Sequence, residues 1–281
     1  MKNTQNRRTF IRNTGLSVAA AAIPGKLLSS AFAPFYADQF DPGEAFSLLK
    51  LEAIFPDYQY PRADQHSTDD FDLNFRLYNC YDKSVLDAGT FSIKKQGGTK
   101  PVYDVRSRRM VSADHPPAQK IFDYYFTGRI ITRDDELATP LSWECDTRVA
   151  KGVDEPPYMN SGHIWKGNYK NGEVEYSSGD LLLKKPVPQD NLSWKWGLIN
   201  LAQKMDPEDE IHFSALDEMD MIYEHQYIRL RKYQEIDTGS GRVNFKVYDV
   251  LGDGIIPTVY WVDELDRVVF IINGMEAFVL T

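Results

Sequence analysis

The residues of this 281-residue chain whose types and spacing suit chemistry are carboxylates and imidazoles. Asp217-Glu218-Met219-Asp220 is followed closely by Glu224 and His225, a set able to bind a divalent cation or to work as an acid–base pair. In a strand, Asp220, Glu224 and Gln226 would share one face and His225 the other, so neighbours could converge only across a bulge. The plainer expectation is a solvated turn at Asp217-Glu218 with a lone His among aromatics. His163 follows a Gly/Pro-rich loop and could act as a base with Glu144 or Glu173; a surface His at a strand start is the plainer alternative. Asp249 with Gly252-Asp253-Gly254 faintly resembles a calcium loop but lacks the acidic spacing and the terminal Glu, and reads as a turn. The chain has no nucleophile elbow, zinc-protease motif, Walker motif, dinucleotide fingerprint or C-x-x-C pair. No cofactor and no metal site is predicted.

Aromatic residues offer a second kind of site. Tyr223, Tyr227, Tyr260 and Trp261 recur in strand-like segments, and Trp194 and Trp196 sit where a helix is expected. Two positions on a helix differ by about 200°, so one indole would face away from the other's packing surface. Trp196, Tyr223, Tyr227, Tyr260 and Trp261 are the predicted lining of a concave apolar site.

These residues need elements to hold them. Phe71–Tyr78 alternates apolar and polar residues, the signature of a half-buried strand. Further strands are expected over Val85–Lys94, Val102–Arg106, Lys120–Thr132, His163–Tyr169 and Glu173–Ser177, the last two joined by the hairpin turn Asn171-Gly172. Others follow within Glu210–Glu235, over Arg242–Val250, and in a final hairpin of Pro257–Asp263 and Arg267–Leu280. One helix is predicted, capped by Asp190 or Asn191 and ended by Asp206-Pro207. Strands without alternating helices predict a mainly β protein: an antiparallel open or half β-barrel with one helix packed across the sheet.

At the N-terminus, Asn6-Arg7-Arg8-Thr9-Phe10-Ile11-Arg12 precedes an Ala-rich apolar run and the small-x-small site Ala31-Phe32-Ala33. Arg7 and Arg8 in this setting resemble a twin-arginine signal peptide, with cleavage after Ala33 and the twin-arginine translocation machinery as a partner. The expected organisation is residues 1–33 as signal, 34–70 as an irregular lead-in with a short helix near Glu44–Leu51, and 71–281 as a single β-rich domain. The apolar run is far shorter than the roughly 20 residues of a membrane span, and the mature chain has no transmembrane segment in sequence. A periplasmic or secreted bacterial protein is the expectation.

The full chain carries 32 basic and 41 acidic residues, a net charge of −9. Loss of residues 1–33 removes five basic and no acidic side chains, leaving −14 on the mature chain. Such a field repels nucleic acid and anionic lipid. Cys80 and Cys145 are the two cysteines; outside the cytoplasm they could pair or remain buried thiols.

From His163 onward the layout resembles a group of uncharacterised exported bacterial proteins with the curved antiparallel sheet of the periplasmic lipoprotein carriers. The hairpin at Gly172, the helix start at Gln189-Asp190-Asn191-Leu192-Ser193, and Ile256–Asp263 returning through Arg267-Val268-Val269 carry that resemblance, over about half of the mature chain. It implies a half-barrel whose concave face shelters an apolar, lipid-like ligand. The leading expectation is an exported binding protein for an apolar, lipid-like or aromatic-stacking ligand. A carbohydrate-active enzyme using Asp220, Glu224, His225 and His163 is the alternative, and an envelope assembly subunit the third.

Overall fold

The computed structural model describes residues 58–81, 84–111, 122–152, 154–158, 161–187 and 191–281. The signal residues Arg7, Arg8 and Ala33 and the expected helix near Glu44–Leu51 lie outside the described residues. The described residues belong to one compact unit.

Strand formation follows the alternation written in the sequence. In β1 (Phe71–Tyr81), Phe71, Leu73, Phe75 and Leu77 are buried while Asp72, Asn74 and Arg76 face solvent, the pattern of a sheet with one covered face. It is followed by β2 (Ser84–Gln96), β3 (Val102–Val111), β4 (Phe122–Thr132), β5 (Pro140–Ala150), β6 (His163–Lys170), β7 (Glu173–Ser178) and β8 (Leu181–Pro186). After the short β9 (Leu192–Trp194) come α1 (Leu198–Lys204), β10 (Glu210–Asp217), β11 (Met221–Thr238), β12 (Gly241–Gly252), β13 (Thr258–Val262), β14 (Val268–Asn273) and β15 (Glu276–Leu280).

The fifteen strands of the described residues form one open sheet, in the order β8-β7-β6-β5-β4-β3-β2-β1-β15-β14-β13-β12-β11-β10-β9. Every pairing is antiparallel except β9 with β10. The protein is thus mainly β, an open sheet not closed into a barrel, with one helix among the described residues. The sheet curls enough that β9 touches β5, but among the described residues no ladder joins them and β8 and β9 are the two edges.

The concave face is filled by the protein's own rings. Phe75 and Phe91 pair across β1 and β2, Phe91 meets Phe278 at 5.5 Å, and Trp196 lies 4.2 Å from Phe91. Helix α1 packs on β13 and β14, with Leu198 through Gln203 all buried. It is anchored by polar contacts. Lys95 Nζ donates to Asn200 Oδ1 at 2.8 Å and to the Thr68 carbonyl at 2.9 Å, Asn200 Nδ2 donates to the Glu136 carbonyl, and Gln203 meets His66 at 2.6 Å.

The helix is shorter than the sequence predicts. Leu192-Ser193-Trp194 pairs with Ser214-Ala215-Leu216 as a sheet edge, so the helical turn begins only after Gly197. There the Trp194 indole lies where a side chain would stand, within 2.3 Å of the position of a Cβ. Trp194 and Trp196 are therefore not on opposite sides of a helix. Trp194 stacks edge-on against Tyr103 and belongs to the core, while Trp196, partly buried, packs against that core on Phe91 and Phe278.

Of the cysteines Cys80 and Cys145, Cys145 is a buried free thiol. The two positions belong to β1 and β5, which are separated in the sheet by β2, β3 and β4.

Candidate functional site

An apolar cavity lies at the β10–β13 end of the curved sheet. It measures about 260 Å³ and is walled by Leu198, Ala215, Tyr223, Ile255, Ile256 and Tyr260, with Lys195, Asp217, Thr258 and Asn273 supplying the polar groups. Four elements converge on it: the turn before α1, the β10–β11 hairpin, the β12–β13 connection and the end of β14.

A bulge positions Tyr223. The β10–β11 register runs Phe213↔Gln226 and then Ala215↔Tyr223, one extra residue on β11, and His225 takes the left-handed conformation at φ 56°. Regular alternation would put Tyr223 and Tyr227 on one face. The extra residue flips the parity, so Tyr223 turns to the cavity, on the side of Phe213 and Ala215. Tyr227 stays outside, 5.5 Å from the His212 ring and beneath the Arg229 guanidinium. Gly252 makes the bulge possible: a Cβ there would come within 2.6 Å of the Gln226 carboxamide and the His225 carbonyl. Buried Gln226 then ties the two strands, donating to the carbonyls of Glu224 and Asp253 at 2.6 and 3.0 Å.

At the rim, Lys195 Nζ lies 3.2 Å from Asp217 Oδ1 and 3.9 Å from Glu218 Oε1. Tyr260 is buried and donates to the Lys195 carbonyl at 3.3 Å. Burial and then Asp217 push its phenol pKa up; burial and then Asp217, Asp220 and Glu218 do the same to Tyr223. Both phenols are neutral donors at physiological pH. Asn273 donates to Thr258 Oγ1 at 2.6 Å. The arrangement can hold an apolar body against Leu198, Ile255 and Tyr223 and meet one polar end with Lys195 or Asp217.

Of the five predicted lining residues, Tyr223 and Tyr260 meet at this cavity. Trp196 lines a smaller space of about 40 Å³ on the other side of Lys195, with Trp165, Trp194 and Met219. Trp261 is fully buried on the face opposite Tyr260, among Phe245 and Phe270, so it is a core residue. Tyr227 is a surface residue.

The acid–base candidates are not gathered in a cleft. Asp220, Glu224, His225 and His163 are all exposed, and none lines the cavities described. Glu224 and His225 approach at 3.9 Å as chain neighbours on the outside of the bulge. His163 meets the Ser178 hydroxyl at 3.2 Å and the Trp165 ring. Among the described residues, no group of three or more His, Cys, Asp or Glu could hold a metal ion.

Sequence reasoning missed Lys195, Leu198, Ile255 and Ile256. Lys195 sits between two tryptophans in Trp194-Lys195-Trp196, and Ile255-Ile256 is an apolar pair directly after a turn; each is an unusual placement that could have been noticed. A larger, open hollow of about 670 Å³ lies over β1–β4, lined by Phe75, Phe91, Tyr125 and Phe126 together with Thr90 and Arg106. Arg108 at its edge is paired with buried Asp123 at 2.7 Å.

No protein-family model matches the sequence, and no curated protein matches it. Among solved structures, the chain is similar to a beta-barrel-like protein of domain of unknown function DUF1849 from Brucella abortus. The two share 10% identity at a TM-score of 0.48, over 75% of this chain and 95% of the other. The likeness is one of fold. Among the described residues, no helix is long and apolar enough to cross a membrane.

Proposed function

We propose that this is a binding protein, exported by the twin-arginine route to work outside the cytoplasm, that shelters a small apolar or amphipathic ligand in the cavity between α1, β10, β11 and β13. The observation that carries the reading is the cavity itself: about 260 Å³, walled by Leu198, Ile255, Ile256, Tyr223 and Tyr260, with the Lys195–Asp217 pair at its rim. The leader supports the location. Its paired Arg7-Arg8 and the site at Ala33 have the order of an export signal.

The volume restricts the ligand. Pockets for drug-sized molecules begin at about 300 Å³, and the rest of the concave face is filled by Phe91, Trp196 and Phe278. A whole lipid does not fit; a small molecule, or one end of a longer chain, does. Burial drives binding, at roughly 2.5 kcal/mol per 100 Å² of apolar ligand surface removed from water.

Thermal unfolding in the presence of straight-chain alkyl amines and carboxylates of increasing length tests this. The unfolding temperature should rise with chain length until the cavity is full and then level off. A flat response across both series would overturn the proposal.

A further inference from the structure

Strand β8 is an open edge of the sheet, and all six of its residues are exposed. Its sequence is Leu181-Leu182-Leu183-Lys184-Lys185-Pro186, and each leucine is about half exposed. Leu183 lies across from Tyr176 and Leu182 across from Ser177, so apolar side chains project from both faces of the strand. Ile164, 56% exposed, extends the patch on the Leu182 face. A free edge flanked by apolar side chains on both faces is a template for another strand.

The hydrogen-bonding parity of that edge is fixed by the turn. Ser178 pairs with Leu181 across the two residues Gly179-Asp180, and in a two-residue hairpin that closing pair exchanges its backbone hydrogen bonds. Leu181, Leu183 and Lys185 therefore bond toward β7. Leu182 and Lys184 direct their N–H and C=O groups outward.

We infer that β8 pairs antiparallel with β8 of a second copy of this chain, about a two-fold axis passing between the two Leu182 residues. The charge order selects this partner and this register. Asp180-Leu181-Leu182-Leu183-Lys184 reads acid, three leucines, base. Turned about Leu182, it sets each Asp180 opposite the partner copy's Lys184, and each Leu181 opposite a Leu183. Lys184 already sits 2.7 Å from Glu175 on β7, so the pairing gives a ladder of Glu175, Lys184 and the second copy's Asp180, alternating in sign across three strands. Centring on Leu183 instead would set each Lys184 opposite a Leu182 and each Lys185 opposite a Leu181, and would leave Asp180 without a cation across the seam. Pro186, which has no N–H, ends the pairing at one side, and the turn at Gly179 ends it at the other. The interface is isologous and short, so the dimer is reversible and concentration-dependent.

Sedimentation velocity on the mature protein tests the pairing, because Leu182 faces its own counterpart. Leu182→Lys and Leu182→Glu should each be monomeric, with self-association weakened at least about tenfold by like charges directly opposed. An equimolar mixture of the two should recover the dimer. Asp180→Lys should dissociate it as well, and an unchanged far-ultraviolet circular dichroism spectrum verifies that each variant is folded. A wild type that stays monomeric up to its solubility limit would overturn the inference. So would a dimer that survives Leu182→Lys, or variants whose mixture stays monomeric.

Discussion

Lys195 Nζ lies 3.2 Å from Asp217 Oδ1, joining the turn before α1 to the end of β10 across the mouth of the cavity. Both side chains are about one-quarter exposed, and the ammonium also rides 5.6 Å above the Trp196 ring. Lys195→Met keeps the hydrocarbon against Trp196 but leaves Asp217 and Glu218 without their cation. Thermal unfolding should show a loss of about 1 kcal/mol, the upper range for a pair still partly in water. Binding of carboxylate-ended ligands should weaken more than that of amine-ended ones.

Lys95 reports on how α1 is held. Its side chain is 3% exposed, and burial followed by the charge of Lys204 lowers its pKa from 10.5 to about 8. Between those values the unfolded chain binds more protons than the native state, so stability rises with pH through this window. Unfolding free energy measured from pH 8 to about 9.5, below the ionisation of unfolded tyrosines near 10, should increase in the wild type relative to Lys95→Met, a comparison that cancels the opposing ionisation of the Cys145 thiol in the unfolded chain. The Lys95→Met variant should lose stability over the same window as the unfolded Cys145 thiol ionises. A fall in wild-type stability relative to that variant would contradict the assignment.

The β13–β14 turn depends on Asp263. Its carboxylate accepts from the backbone N–H groups of Leu265 and Arg267, both at 2.9 Å, from Arg267 Nε at 2.9 Å, and from the Tyr60 hydroxyl at 2.6 Å. Asp263 and Arg267 are 1% and 6% exposed. Asp263→Ala strands a buried guanidinium and should cost about 3–5 kcal/mol in urea unfolding. Burial, then the hydrogen bond and charge of Asp263, pushes Tyr60 up to about 12, so the variant should also bring that phenol back toward the ordinary tyrosine range in an ultraviolet pH titration.

Cys145 is buried, and burial pushes its thiol up to about 12. In a Cys80→Ser background it should resist thiol reagents at neutral pH, reacting only at the rate of unfolding and fully in denaturant. Fast labelling of the native protein would contradict its placement.

Where residues alternate or turns carry Asn-Gly and Gly-Ser-Gly, the sequence was transparent: Phe71–Leu77, the Asn171-Gly172 hairpin and Arg242–Val250 all lie where expected. Leu192–Trp194 was opaque because three residues cannot display a period, and their strand conformation is imposed by β10. Asn273-Gly274 marks the β14–β15 turn in the sequence, but the apolar runs on both sides of it, each a strand buried on both faces, read together as one arm over Arg267–Leu280. At the site, Tyr223 and Tyr260 were legible as aromatics in strands. The opposite orientations of Tyr223 and Tyr227 were not, because a single bulged residue at His225 inverts the parity and only the neighbouring strand reveals it. Trp261 failed for a related reason: periodicity marks a buried side chain without saying which face of the sheet it is buried on.

Native mass spectrometry of the protein purified from its own cells, prepared beside an Ala215→Phe variant that fills the cavity from β10, addresses the central claim most directly. The wild type should carry the added mass of one small apolar or amphipathic compound, and the folded variant should carry none. A wild type without added mass, or the same compound retained by both proteins, would contradict a ligand held between Leu198, Tyr223 and Tyr260.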